Sequence, residues 1–279
     1  MKGMKVITRF APSPTGYLHP GHAWSAWFAF EAAHKAGGTF LLRIEDIDPT
    51  RCKPEFTQAI FEDLHWLGLT WPEPVRIQSH HMADYQTALD KLTAQGLLYP
   101  CFCTRADITA AGHAPHGPEG PLYPGTCRHL GPAERAEKIA SGTPYALRLN
   151  VAEALRRTGP LTWHDAATGT QPATPEMFGD VVLARKETPT SYHLAVTVDD
   201  ALQGITLVTR GVDLLTATHI HRLLQALLEL PTPHYHHHPL LMDKSGKRFA
   251  KRDQSITLRA LRAQGKTPQD VLGLYLPQI

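Results

Sequence analysis

The 279-residue sequence has no uninterrupted apolar run of membrane length, no low-complexity tail and no internal repeat, so a helical membrane span and a solenoid are excluded as readings. Met1-Lys2-Gly3-Met4 leads straight into a short apolar stretch and a polar loop. That is not the charged, apolar and small-residue succession of a secretory leader, and the cytoplasm is the expected compartment. Cysteine is scarce, at four residues, which excludes a small secreted scaffold stapled by disulfides. Neither sign of charge is in excess: 28 basic against 26 acidic residues leave +2, too little by itself to mark a nucleic-acid protein. What the chain does have is 42% hydrophobic residues, enough for a sizeable core in one large or two modest domains. It also has 17 histidines, which make its charge sensitive to pH.

Periodicity gives an α/β pattern. Lys5 to Phe10 reads as a strand, and Gly21 to Ala36 as a helix that is apolar nearly all round, with a Glu31, His34, Lys35 polar stripe and a stop at Gly37-Gly38. Thr39 to Glu45 reads as a second strand. Phe56, Ile60, Leu64 and Leu67 mark a helix opened by Pro54, and Met82, Tyr85, Leu89 and Leu92 another closed by Gly96. Alternating strands and helices predict an α/β fold with a Rossmann-like, doubly wound parallel sheet, whose ligands sit beyond the carboxyl ends of the strands. Arg9, His19, His22 and Glu45 are expected to gather there. Residues 104–128, rich in Gly and Pro, are expected to lack regular structure.

Three groups of residues carry chemistry. The stretch from Arg9 to His22 (RFAPSPTGYLHPGH) is broken by Pro12, Pro14 and Gly16 and ends on two histidines three apart at a helix start. Unpaired N–H groups and a positive dipole there suit phosphate oxygens, and imidazoles can donate to a phosphorus centre gaining charge. Far downstream, Ser245 to Asp253 (SGKRFAKRD) is a Gly-containing basic run, which alone would read as a solvated face and, paired with the histidine loop, reads as a phosphate clamp. Between them, Cys101, Cys103 and Cys127 frame the irregular stretch, a spacing that favours a metal over disulfides. Tyr123, His116, His113 and His129 are candidates for a fourth ligand, and Cys52 reads as an ordinary thiol.

The histidine run from His234 to His238 reads as structural, because prolines bracket it and no acidic or cysteine partner is adjacent. A site for an acidic amino acid needs two guanidinium groups and an anionic or hydroxyl anchor. Arg9, Ser13, Glu45, Tyr192 and Arg210 offer that set. Arg43 and Asp46 could equally form a surface pair, and Asp199-Asp200 a turn or helix cap.

The first of these groups resembles the HIGH signature of class I aminoacyl-tRNA synthetases, in the form seen in the glutamyl and glutaminyl branch. Ser245 to Asp253 resembles the KMSKS loop, with Lys251 in the second lysine slot, Arg248 in the first, and Ala250 where the family has serine, one hydroxyl donor fewer. The resemblance implies an ATP site of His19, Gly21, His22, Arg248 and Lys251, with His19, His22 and Lys251 catalytic and Mg²⁺ accompanying the nucleotide. It implies a glutamate site of Arg9, Phe10, Ala11, Pro12, Ser13, Glu45, Tyr192 and Arg210: Arg9 and Arg210 on carboxylates, Glu45 and Ser13 on the ammonium, Tyr192 as a polar wall. A C-x-C followed by Y-x-x-x-C is a zinc site in this family, which makes Tyr123 the implied fourth ligand beside Cys101, Cys103 and Cys127, around one structural Zn²⁺. The implied organisation is a catalytic domain in two halves, 1–100 and 191–253, separated by a zinc-containing connective insertion, 101–190, and followed by a short helical segment, 254–279.

Only 28 residues follow Lys251, so no anticodon-binding domain is expected. The whole chain thereby resembles a truncated branch of the family that transfers glutamate to the queuosine base in the anticodon of tRNA(Asp). Its implied partners are ATP, L-glutamate and that anticodon stem-loop, with no membrane, and a monomer is expected. Two alternatives stand beside this: a minimal glutamyl-tRNA synthetase charging a tRNA 3′ end, and a non-catalytic synthetase-like RNA-binding protein, which Ala250 slightly favours.

Overall fold

A computed structural model describes residues 5–110, 116–118, 120–241 and 256–275. The chain runs β1 (Ile7–Phe10), α1 (Pro20–Lys35), β2 (Thr39–Ile44), α2 (Pro54–Trp66), β3 (Arg76–Ile77), α3 (Met82–Ala94), β4 (Leu98–Cys101), α4 (Arg105–Ala110), β5 (His116–Gly117), β6 (Gly120–Pro121) and α5 (Pro132–Ala140). It continues through β7 (Ala146–Leu149), α6 (Val151–Thr158), β8 (Thr162–Asp165), β9 (Gly169–Pro172), β10 (Val182–Ala184), α7 (Tyr192–Leu202), β11 (Leu207–Gly211), α8 (Ala217–Leu228), β12 (His234–His238), α9 (Leu258–Ala263) and α10 (Pro268–Tyr275).

β1, β2 and β3 pair in parallel, as do β11, β12 and β8, with β9 antiparallel at the edge. The two sets meet where the Thr206 N–H donates to Ile7 O at 3.0 Å and the Ile7 N–H to Thr206 Oγ1 at 2.8 Å. The spatial order β3-β2-β1-β11-β12-β8-β9 therefore grows outward in both directions from the β1–β11 junction, the switch point at which open α/β sheets bind ligands.

Strand alternation clothes both faces. On one face, the Thr8 hydroxyl donates to Ala29 O of α1, and His236 and His238 meet Phe28 and Trp24 with ring centroids 4.7 and 5.7 Å apart. Phe10, Leu42 and Ile44 join Ala26, Ile60 and Leu64 in the core beneath α1 and α2. On the other face, Arg9 and Arg43 turn toward α7, and Tyr235 accepts from Gln225 of α8 at 2.9 Å. The parallel α/β architecture expected from the sequence is thus present, with element ends displaced by one or two residues.

A separate antiparallel sheet, β10-β7-β4, joins three strands between Leu98 and Ala184, and the expected boundary between 100 and 101 falls inside β4. Residues 104–128 depart from expectation, since they hold α4, the β5–β6 pair and a tight helical turn at Thr126–His129. The reason is local. The Thr104 hydroxyl accepts from the Asp107 N–H at 3.2 Å while Asp107 accepts from the Thr104 N–H at 2.7 Å, a capping box that a Gly and Pro count conceals.

Arg43 is not the partner of Asp46 on the surface, and Asp199-Asp200 is neither a turn nor a cap. Asp46 accepts from Ser79 instead. Arg43 is fully buried, donating to Asp200 at 2.8 Å and Glu45 at 3.0 Å, with Asp199 3.7 Å away. Asp199 also takes Arg76 at 2.7 Å, Gln78 at 2.8 Å and the Tyr85 hydroxyl at 3.0 Å. Burial alone would favour discharge of Arg43, but Asp200, Glu45 and Asp199 outweigh it and keep the guanidinium charged. Because one cation serves three buried carboxylates, Arg43→Met should cost about 3–5 kcal/mol in urea unfolding, whereas Asp46→Ala should cost less than about 1 kcal/mol.

Candidate active site

At the β1–β11 crevice lies a cavity of about 430 Å³ lined by Arg9, Phe10, Ala11, Pro12, Ser13, His19, Gly21, His22, Glu45, Tyr192 and Arg210. Every expected glutamate residue and three of the five expected ATP residues are therefore brought together. Arg248 and Lys251 lie outside the described residues.

The two histidines begin α1 as a reciprocal cap. His19 Nδ1 accepts from the Gly21 N–H at 3.1 Å, and His22 Nδ1 accepts from the His19 N–H at 3.2 Å. Both Nδ1 atoms are thus acceptors, so in the neutral rings the proton resides on Nε2. The rings lie 3.7 Å apart at the mouth of the helix. Their Nε2–H groups and the helix N-terminus supply the donors that a phosphoryl group gaining charge requires.

The two pocket arginines differ in their company. Arg9 donates Nε and Nη2 to Asp200 at 2.9 and 3.3 Å, and Nη1 to Thr209 O at 3.1 Å. Burial would raise the Asp200 carboxyl, but Arg9 and Arg43 together hold it below its usual range. Arg210, by contrast, donates to His237 Nε2 at 3.1 Å, His221 Nδ1 at 3.2 Å, the Tyr192 hydroxyl at 3.4 Å and the Thr218 hydroxyl at 2.6 Å. No carboxylate is among these partners, so Arg210 keeps its charge for an anion. Glu45, whose pKa burial raises in spite of Arg43 and Arg9, lines the same cavity, and its N–H donates to Pro12 O at 3.1 Å. Two cations and one acid lining a single cavity complement an amino acid with two carboxylates and an ammonium.

The histidine run is structural in its strand but not without an acid. Asp165 of β8 reaches His237 Nδ1 at 2.7 Å, from 72 residues away in the chain. Thr218 and His221 of α8, and His193, whose Nδ1 lies 3.2 Å from His221 Nε2, complete a polar cluster that sequence reasoning missed. The available signal was polar residues set in the apolar face that contains Ile220, Leu223, Leu224 and Leu227.

Cys101, Cys103 and Cys127 place their sulfurs within 4.8 Å of one another. Cys103 and Cys127 are 3.4 Å apart, well beyond an S–S bond of about 2.05 Å and close to the edge, about 3.8 Å, of a tetrahedral site with Zn–S near 2.3 Å. The Tyr123 oxygen is 3.7 Å from Cys103 Sγ and accepts from the Cys127 N–H at 2.6 Å. His129 is exposed and outside the cluster, while the side chains of His113 and His116 are not among those described. The donor set fits a soft divalent cation.

Residues 5–275 match the model of the class I tRNA synthetase (E and Q) catalytic domain. The chain belongs to that family. It is 49% identical over 276 residues to a Rhodobacter capsulatus protein named glutamyl-Q tRNA(Asp) synthetase, covering 95% of this chain and 98% of that one. A Symbiobacterium thermophilum protein of the same name is 43% identical over 275 residues, covering 95% and 84%. A solved glutamate tRNA ligase from Elizabethkingia meningosepticum, in complex with its amino acid, superposes with a TM-score of 0.76 at 28% identity, over 90% of this chain and 52% of that one. The chain thus spans about half the length of that ligase. Family membership makes it a synthetase-type ligase using ATP with Mg²⁺. Among the described residues, no helix is long and apolar enough to cross a membrane.

Burial first, then the charge of Arg210, holds His237 down to about 4 against the pull of Asp165. Since His237 binds its proton less readily folded than unfolded, its contribution to stability is complete above about pH 6.5 and is lost as pH falls toward about 4. Urea unfolding should show stability declining by order 2–3 kcal/mol through that window, and His237→Gln should flatten the decline.

Proposed function

We propose that the chain activates L-glutamate with ATP and transfers it to the queuosine base in the anticodon of tRNA(Asp). The observation that carries the activation step is a single cavity holding both histidine Nε2 edges, the uncompensated Arg210 and Glu45. In this reading Arg9 and Arg210 orient the carboxylates of glutamate, while Glu45 and Ser13 take its ammonium and Tyr192 walls the pocket. A glutamate carboxylate oxygen attacks the α-phosphorus, an O–P bond forms as the α–β phosphoanhydride breaks, and His19 and His22 donate to the equatorial oxygens. Lys251 and Arg248 draw off the pyrophosphate, and Mg²⁺, when bound with the nucleotide, supplies neutralising charge. A ring hydroxyl of queuosine then attacks the acyl carbon and AMP leaves.

The choice of acceptor is supported by two relatives named glutamyl-Q tRNA(Asp) synthetase, of which this chain covers 98% and 84%. The working division is two catalytic halves, 1–100 and 191–253, with 101–190 as a connective subdomain pinned by Zn²⁺ on Cys101, Cys103, Tyr123 and Cys127, and 254–279 as a helical appendage. The protein would act as a cytoplasmic monomer. A minimal glutamyl-tRNA synthetase is the second reading, supported by the 28%-identical ligase that shares the fold.

Incubation with labelled glutamate, ATP and tRNA(Asp) with or without queuosine, followed by digestion to nucleosides, should put label on the queuosine nucleoside. Label on the terminal adenosine would select the second reading, and absence of glutamate-dependent pyrophosphate exchange would select a non-catalytic RNA-binding protein. Chelation by phenanthroline, or Cys103→Ser, should release about one zinc per chain, lower Tm and impair transfer to RNA more than adenylate formation. Metal analysis and the two partial reactions measured separately would check this.

A further inference from the structure

Asp165, His237 and Arg210 come from the neighbouring strands β8, β12 and β11, with Arg210 and His237 direct register partners and Asp165 opposite Tyr235, two residues before His237. Asp165 Oδ2 accepts both the backbone N–H of His237 at 3.1 Å and its ring Nδ1 at 2.7 Å. Asp165 Oδ1 is taken by the N–H groups of Ala167 and Thr168 at 2.9 and 3.2 Å. A carboxylate only accepts and a guanidinium only donates. His237 lies between the two, so Nδ1 must carry the proton and Nε2, 3.1 Å from Arg210 Nε, must be the acceptor. Both ends of the ring are thereby fixed.

We infer that His237, oriented by Asp165, is a positioning residue that aims Arg210 at the glutamate carboxylate while leaving its charge unspent. The inference rests on the reading of Arg210 as a glutamate ligand. An imidazole passes the direction of a hydrogen bond from Asp165 to Arg210 without passing the negative charge. A carboxylate in direct contact would hold Arg210 equally well but would answer part of its charge, as Asp200 does for Arg9.

The remaining groups about the ring preserve this arrangement. Thr218 of α8 lies 3.3 Å from His237 Nε2 and accepts from Arg210, and His221 of α8 accepts from Arg210 Nη1. Trp163 of β8 and Tyr235 of β12 enclose the ring at centroid distances of 5.7 and 5.9 Å, while Tyr192 of α7 and Arg9 of β1 lie on the ligand side. His238 points to the opposite face against Trp24. Both His237 and Asp165 are buried, so water cannot replace either bond.

Two replacements separate aiming from mere packing. His237→Asn keeps a donor near the Nδ1 position for Asp165 but no acceptor reaching Arg210, whereas His237→Gln keeps an acceptor near the Nε2 position. For His237→Asn the KM for glutamate in pyrophosphate exchange should rise about tenfold or more, as expected for a lost hydrogen bond to a charged group. The KM for ATP should change little, and His237→Gln should recover most of the loss. Equal thermal destabilisation in both variants, with both KM values moving together, would overturn the inference. ¹⁵N spectra of histidine-labelled protein should show His237 protonated on Nδ1 and bare on Nε2, and the reverse would also overturn it. Arg210→Ala distinguishes the two levels: if it raises the KM for glutamate while His237→Asn does not, the positioning role alone fails. If neither variant affects glutamate, the assignment of Arg210 to the substrate fails with it.

Discussion

The Asp200 carboxylate, shared between two guanidinium groups, is the interaction on which the rest depends. It takes Arg9 from β1 and Arg43 from β2 at 2.9 and 2.8 Å, across separations of 191 and 157 residues. α7 is thereby fixed against the first half of the sheet at the level where the strands end. The same helix begins at Tyr192 and leads into β11, which carries Arg210. The spacing of the walls of the crevice therefore depends on a few buried charges as well as on the apolar core in which Leu194, Ala195 and Val198 of α7 pack with residues of α3 and α8. Burial makes such a cluster unforgiving, since each charge is tolerated only because the others are present.

That cluster also divides labour between the two arginines of the cavity. Arg9 is anchored by an acid and contributes shape and hydrogen-bond donors with much of its charge already answered. Arg210 is anchored by His237, His221, Tyr192 and Thr218, none of them a carboxylate. Two guanidinium groups that look alike in a sequence are thus electrostatically unequal, and a ligand with two carboxylates meets a polarised site. Selectivity for an acidic over a neutral ligand would follow from that polarity together with Glu45 in the same cavity.

What was legible in the sequence was local. The strand, loop and helix around RFAPSPTGYLHPGH, the helices opened by Pro54 and closed by Gly96, and the clustering of Cys101, Cys103 and Cys127 all follow from periodicity, punctuation and spacing over tens of residues. Arg43 was not legible. A charged residue in a short strand looks like a surface position until the strand is known to be covered on both faces. Asp165 and His237 were missed for a related reason: the acid that partners the histidine run arrives from another strand. α4 was hidden because composition was weighed over the whole segment while Thr104 and Asp107 decide a single turn.

The double duty of His19 and His22 narrows the mutational paths open to this loop. Ordinary helix-starting residues such as serine or aspartate could take over the cap, but they would remove the imidazole edges that line the cavity. The first turn of α1 is therefore a place where a sequence cannot drift toward a better fold without surrendering its chemistry, and tolerance of substitution there reports on selection for activity rather than for stability.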